Sequence, residues 1–221
     1  TAKFSSTAFH NTVEIDGQNQ NGGGKGDIQY WENNAIYDNT SNWSKSYRSN
    51  GINEWHARNI LYIRPGFFVV SDYLKPYESD TSTHTYRQRW IMPPDADMTI
   101  DTDTMTARSN TASTANIQVV QADKEGITLE KVNDRYIGTY ADRAVYTKSG
   151  SGTVLFDTVL YPEQAGANVE VTCERIGLEG ITNNGASALQ IQILDQDTGK
   201  QSDITYYLVH DVGQKAVRRF G

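Results

Sequence analysis

Short segments that alternate apolar and polar residues, each bounded by turn-forming residues, recur along most of this 221-residue chain. The clearest pair comprises residues 59–64 and 67–74, which are joined by the dipeptide Pro65-Gly66. A period of two places apolar side chains on one face of a strand, and Pro-Gly between two such runs predicts a hairpin. No window has a sustained apolar stripe at the helical period with caps at both ends. The sequence therefore predicts an all-β protein with little helix.

The number of strands indicates the architecture. Further candidate strands share this alternation and lie at residues 13–16, 85–91, 98–101, 115–121, 127–131, 144–148, 152–161, 169–176, 188–194 and 203–209. Together they make about a dozen strands, which a single sheet rarely accommodates without folding over. We therefore expect one domain over residues 1–221, a large antiparallel two-sheet β-sandwich.

The segments between these strands differ in composition. Residues 195–200 are rich in Asp and Gly and predict a hairpin loop, and residues 99–114 predict a polar hairpin. Residues 19–25 contain three consecutive glycines and predict a flexible loop. Residues 36–53 are polar and aromatic and match no regular element, so we expect a second long loop there. Long loops on a β scaffold often hold functional residues.

Composition narrows the classes of function. The net charge of −7 argues against nucleic acid as a partner, because nucleic acids bind basic surfaces. No apolar run reaches the length of about 18 residues that spans a membrane. Cys173 is the single cysteine, so no intrachain disulfide forms. Thirteen Tyr, four Trp and many hydroxyl and amide side chains are typical of periplasmic or secreted β proteins that bind sugars, although sheets also favour aromatic residues for packing.

Four stretches stand out by their residue types and by their order. They are Ser-Thr-Ala-Phe-His-Asn-Thr-Val at 6–13, Asp-Gly-Gln at 16–18, Arg58 followed by Leu-Tyr-Ile at 61–63, and Phe-Phe-Val-Val-Ser-Asp at 67–72. Together they resemble the C-terminal β-sandwich of the heparinase II/III-like polysaccharide lyases. Phe-Asp-Thr-Val-Leu-Tyr-Pro at 156–162 resembles a late core strand of that family, so the resemblance covers residues 6–161. Residues 180–221 are assigned only as C-terminal strands.

The resemblance implies an activity and a partner domain. In that family an N-terminal α/α toroid precedes the sandwich, and an acidic polysaccharide lies in the cleft between the two. The enzymes cleave uronic-acid-containing glycans by β-elimination, a carbon–oxygen lyase reaction. These 221 residues contain no toroid, so we expect this chain to supply one wall of the cleft and to be inactive alone. We assign no catalytic residue to it.

The resemblance also implies a metal ligand. The family holds a metal, usually zinc, with a histidine of a His-x-His motif, an Asp, and the histidine of the His-Asn-Thr string. Of these ligands only His10 matches here, so zinc at His10 would need ligands from outside this chain. The alternative is a loop histidine that caps backbone groups.

Three residues are candidates for contact with the substrate. His56 and Arg58 share one strand face by alternation, and a guanidinium suits a glycan carboxylate because it donates two parallel hydrogen bonds. The alternative for this pair is an ordinary strand face with a salt bridge. Trp31, among several aromatic residues, is a candidate for stacking on sugars, with packing beneath a loop as its alternative. Two other functions stay open: a non-catalytic carbohydrate-binding module and a structural β domain.

Overall fold

A computed structural model describes residues 6–20, 26–47, 52–64, 66–77, 79–94, 96–112, 114–136, 139–178, 185–209 and 218–220. The described residues form a 3-10 turn at Thr7–Phe9 and sixteen strands. The strands are β1 Val13–Ile15, β2 Gly26–Asn33, β3 Tyr37–Tyr47, β4 Glu54–Ile63, β5 Phe67–Pro76, β6 His84–Ile91, β7 Asp97–Asp101, β8 Thr106–Asn110, β9 Asn116–Gln121, β10 Ile127–Tyr136, β11 Thr139–Gly150, β12 Val154–Glu163, β13 Val169–Arg175, β14 Ala186–Asp195, β15 Gln201–Val209 and β16 Arg218–Phe220.

The strands form three sheets in which the described neighbours pair antiparallel. The first sheet has the order β1-β6-β11-β10, the central sheet β2-β3-β4-β5-β12-β9-β8-β7, and the third sheet β13-β14-β15-β16. The antiparallel β-sandwich predicted from the sequence is confirmed, and the structure adds a third sheet. None of the described residues builds a helix that is long and apolar enough to cross a membrane.

Both faces of the central sheet are covered at β5, β9 and β12. One face packs on the first sheet through a core that includes Val13, Tyr86 and Tyr146 from the first sheet and Val70, Leu74 and Phe156 from the central one. The other face packs on the third sheet through a core that includes Leu61, Val69, Val159, Val171, Leu189 and Tyr206. Adjacent residues Val69 and Val70 therefore enter different cores. This explains why β5 is a nearly continuous apolar run, as strands covered on both faces usually are.

The local turn predictions hold where the structure describes the residues. β4 and β5 form the predicted hairpin with Ile63 opposite Phe67. β7 and β8 form the predicted polar hairpin, with Asp101 opposite Thr106. At the end of β14, Asp195 Oδ1 accepts hydrogen bonds from the backbone N–H groups of Asp197 and Thr198, both at 3.0 Å. The central part of the predicted glycine loop, residues 21–25, lies outside the described residues.

The prediction of a long loop at residues 36–53 is wrong for most of that segment. Tyr37–Tyr47 is β3, which pairs with β2 on one side and with β4 on the other. β3 reads as a loop because Asp, Asn, Ser and Thr fill most of its positions and no apolar alternation marks it. Its place in the sheet depends on hydrogen bonds from both neighbouring strands, which a local pattern does not reveal.

Candidate functional site

The segment around His10 has an anchored backbone and an exposed side chain. The backbone N–H of His10 donates to Thr7 O over 3.1 Å and closes the 3-10 turn. Phe9 is buried beneath the guanidinium of Arg143, which lies 4.7 Å from the ring centroid. Arg143 also donates to Ala8 O over 2.7 Å. The imidazole of His10 is therefore presented to solvent from a fixed backbone just before β1.

Asn11 ties this segment to two sheets. Its side-chain Oδ1 accepts from the backbone N–H of Ile91 in β6 over 2.8 Å. Its backbone oxygen accepts from Nη1 of Arg58 in β4 over 2.5 Å. β4 belongs to the central sheet and β6 to the first sheet, so Asn11 fixes the position of its neighbour His10 relative to both.

A buried carboxylate, Asp72, lies behind Arg58. Arg58 donates from Nε to Asp72 Oδ1 and from Nη2 to Asp72 Oδ2, both at a distance of 2.7 Å. His56 Nε2 lies 2.7 Å from Oδ1, and Gln88 Nε2 donates to Oδ2 over 2.8 Å. Burial opposes ionisation of Asp72, yet the charges and hydrogen bonds of Arg58 and His56 hold the pKa of this carboxyl well below its ordinary range. Asp72 is therefore an ionised, fully paired group in the interior.

The polar network continues through Gln88. Gln88 Oε1 accepts three hydrogen bonds: from Trp90 Nε1 at 3.0 Å, from Gln121 Nε2 at 3.1 Å and from Thr158 Oγ1 at 3.0 Å. These donors come from β6, β9 and β12. With Asp72 on β5 and its partners on β4, the network joins the first sheet to four strands of the central one. A buried polar network holds a single arrangement when its polar atoms have hydrogen-bond partners. Gln88 makes four of the hydrogen bonds in this network.

His56 and Arg58 share a strand face, as the alternation predicted, and that face is turned toward the first sheet. Their side chains are 6% and 20% exposed, and both contact Asp72. The salt bridge that the sequence left open is therefore present at Arg58. Direct contact of these two residues with a glycan stays a prediction.

Trp31 lies on β2, at the edge of the central sheet, and is 64% exposed. Its neighbour Ile28 is 69% exposed. A separate row of rings runs across β3 and β4 to the end of β5: Trp43 and Trp55 have centroids 4.4 Å apart, and Trp55 stacks on Tyr77 at 5.0 Å. Trp31 is therefore the more accessible of the candidate stacking surfaces.

A second polar cluster, which the sequence did not predict, lies at the other end of β1. Glu54, Asp80 and His84 place ligand-type atoms within 4.8 Å of one another. Asp16, from the Asp-Gly turn after β1, contacts His84, and Tyr86 contacts Glu54. Strand alternation puts His84 and Tyr86 on one face, which was the available signal. The contact of this face with Glu54 depends on packing of the two sheets, so no sequence spacing shows it.

Neither a family model nor a curated protein sequence matches the chain. Solved structures do. The heparan sulfate lyase HepC from Pedobacter heparinus matches with 20% identity and a TM-score of 0.76, over 96% of this chain and 32% of that one. The chain shares its fold with part of heparinase III. A crystal structure of heparinase III matches at 19% identity and a TM-score of 0.69, over 92% of this chain and 30% of that one.

A further heparinase III structure matches at 16% identity and a TM-score of 0.68, over 91% of this chain. The chain thus spans about a third of the length of the heparinase III structures that it matches. The resemblance inferred from the sequence motifs is confirmed at the level of the fold. The likeness extends beyond residue 161, where the motifs ended, because it covers more than nine-tenths of the chain.

Proposed function

We propose that this chain is the C-terminal β-sandwich of a heparinase II/III-like polysaccharide lyase that acts on uronic-acid-containing glycans. One observation carries the proposal. The motif residues Asn11, Arg58 and Asp72 are far apart in sequence, yet they form one connected set of hydrogen bonds in a fold shared with heparinase III. The residues that carry the motif resemblance therefore meet in this chain, beside His10.

The reaction that we propose is β-elimination. A base removes the proton at C5 of the uronate, the electron pair forms the C4–C5 double bond, and the C4–O bond breaks as an acid protonates the leaving oxygen. Neutralisation of the sugar carboxylate makes the C5 proton more acidic. We assign no base or acid to this chain, because His56 and Arg58 already hold Asp72. The chain supplies a wall of the cleft, and a neighbouring α/α toroid supplies the catalytic groups.

We assign His10 as a zinc ligand at the rim of that cleft. Its exposed side chain and its backbone, which Asn11 fixes, suit a ligand that reaches toward another domain. Within the described part of the chain, one cluster of side chains could hold a metal ion: Glu54, Asp80 and His84. His10 is not part of this cluster. These residues do not complete a zinc site at His10, so its remaining ligands would come from the neighbouring domain. A polysaccharide substrate also favours a periplasmic or secreted location.

The test compares two polypeptides. The longer polypeptide encoded by the reading frame of this chain should release unsaturated uronate from at least one of heparan sulfate, alginate and hyaluronan, measured by ultraviolet absorbance. The 221-residue chain alone should release none. A reading frame with no toroid, or a longer polypeptide that cleaves none of these uronates, contradicts the proposal.

A carbohydrate-binding module without chemistry is the second candidate, and the exposure of Trp31 favours it. An indole that is open to solvent on an edge strand offers a flat face to a sugar ring. This candidate requires that the chain alone bind a glycan and that the longer polypeptide leave the same glycan intact. Cleavage by the longer polypeptide would contradict it.

A further inference from the structure

The cluster of Glu54, Asp80 and His84 lies where the chain crosses from the central sheet to the first sheet. Glu54 begins β4, His84 begins β6, and Asp80 lies in the segment between β5 and β6. Local hydrogen bonds hold Asp80 in place: its N–H donates to Tyr77 O at 2.8 Å, and its Oδ1 accepts from the N–H of Ser82 at 3.0 Å. The three side chains are therefore brought together by anchored backbone.

One carboxylate oxygen of Glu54 has no hydrogen-bond partner among the described residues. The residue is 0% exposed, and its Oε1 accepts from the hydroxyl of Tyr86 over 2.9 Å. Oε2 is buried and makes no hydrogen bond with the described residues. Burial raises the pKa of the Glu54 carboxyl to about 7, against the opposing effect of the Tyr86 hydrogen bond. An unpaired buried carboxylate oxygen is costly, so this position calls for a proton or a cation.

His84 is oriented as a metal ligand would be. Its Nδ1 lies 2.5 Å from Asp16 Oδ2, a carboxylate oxygen that accepts a hydrogen bond from Nδ1, and this contact leaves Nε2 facing Asp80. Nε2 lies 3.3 Å from Asp80 Oδ2, longer than most N–H···O hydrogen bonds. Two ligands on a tetrahedral ion with bonds of about 2.0–2.2 Å are separated by about this distance. A carboxylate on the far nitrogen is the usual support for a metal-bound imidazole.

We propose that Glu54, Asp80 and His84 bind one divalent transition-metal ion, for which Zn²⁺ is the best fit, and that Asp16 is the positioning residue for the imidazole. An imidazole ligand favours zinc over calcium or magnesium, which prefer oxygen atoms throughout. The carboxylates of Glu54 and Asp80 balance the charge of the ion. The ion would also give Glu54 Oε2 a partner. The ion would tie β4 to β6 and so hold two sheets together.

This site is independent of the proposed lyase function and of zinc at His10. The competing occupant is a set of protons: a charged His84 paired with Asp16 and Asp80, beside a protonated Glu54. Asp16 and Asp80 do raise the pKa of His84 against the lowering effect of its burial, which suits that alternative in the absence of metal. Measured metal binding separates the two occupants.

The experiment uses the 221-residue chain after removal of metal by a chelator. Titration with zinc chloride in a calorimeter should show one equivalent bound per chain, and the unfolding temperature should rise with zinc concentration. Glu54→Gln, Asp80→Asn and His84→Gln should each abolish this saturable binding. Asp16→Asn should weaken it by roughly 10–100-fold, as loss of a supporting carboxylate does.

Asp27→Asn is the matched control, because it removes an exposed carboxylate outside the cluster and should leave the stoichiometry and affinity unchanged. Glu54→Gln keeps an acceptor for Tyr86 and removes the charge, so circular dichroism of the metal-free protein should show a folded variant. No saturable binding by the parent chain overturns the proposal. Equal affinity in folded Glu54→Gln, or loss of binding in Asp27→Asn, overturns it as well.

Discussion

Arg58 and Asp72 face each other across β4 and β5 and are joined by two parallel hydrogen bonds of 2.7 Å. The third guanidinium nitrogen reaches the backbone oxygen of Asn11. One side chain therefore neutralises a buried carboxylate and fixes the segment that presents His10. Because the carboxylate is 0% exposed, its stability in the ionised form depends on these partners.

Removal of that guanidinium should be strongly destabilising. Arg58→Ala leaves Asp72 as a buried charge with reduced compensation, which costs about 3–5 kcal/mol in the free energy of unfolding. Chemical denaturation monitored by circular dichroism measures this change. Arg64→Ala is the control, because its ion pair with Asp38 is largely exposed and such pairs contribute about 0–1 kcal/mol. Equal losses in the two variants would mean that the Asp72 pair is not a special contributor.

The same pair predicts how stability changes in acid. Folding lowers the pKa of Asp72 from its ordinary value of 3.8. The ionised carboxylate therefore makes its full contribution to the free energy of unfolding above pH 3.8. That contribution is lost as the pH falls from 3.8 toward the pKa of the folded state. Asp72→Asn should be less stable at neutral pH and should show a smaller decline in stability over this acid range. Unfolding free energies measured from pH 6 downward test this. If the stability of Asp72→Asn fell in acid as steeply as that of the parent chain, Asp72 would not be the source of the pH dependence. Asp27→Asn, which changes an exposed carboxylate, is the control.

If His10 is a zinc ligand shared with a neighbouring domain, as proposed, it should matter only when that domain is present. His10→Ala in the longer polypeptide should lower its zinc content and its unfolding temperature, because a ligand of the shared site is lost. In the 221-residue chain the same change should alter stability by about 0.5 kcal/mol or less, since the side chain is exposed. Metal analysis and thermal unfolding of both pairs of proteins test this. Equal destabilisation in the two settings would identify His10 as a local packing residue.

Trp31 offers a direct test of glycan contact at the sheet edge. If its indole stacks on a sugar, Trp31→Ala should weaken binding of the chain to an acidic polysaccharide by about 1 kcal/mol, roughly fivefold. Ile28→Ala is the matched control, because Ile28 is equally exposed on the same strand and has no ring. Affinity electrophoresis or calorimetry measures the difference. Equal affinities for Trp31→Ala and the parent chain would remove Trp31 from the binding surface.

The candidate site was partly predictable from the sequence. Alternation placed His56 and Arg58 on one face, and motif order singled out His10 and Asp72. Their contacts were not predictable, because the pairing of Arg58 with Asp72 depends on the register between β4 and β5. Gln88 reaches the same carboxylate only through packing of the first sheet on the central one.

Local chemistry in the sequence determined most strands and several turns of this protein. The Asp16-Gly17 turn is an example: both residues adopt positive φ, 51° and 71°, which Asp and Gly tolerate better than most residues. Tertiary structure alone decided the polar strand β3, the third sheet, and the meeting of Asp16, Glu54, Asp80 and His84. The physical reason is range: alternation and turn preferences act between neighbours in sequence, whereas hydrogen-bond register and sheet packing join residues whose separation along the chain has no pattern.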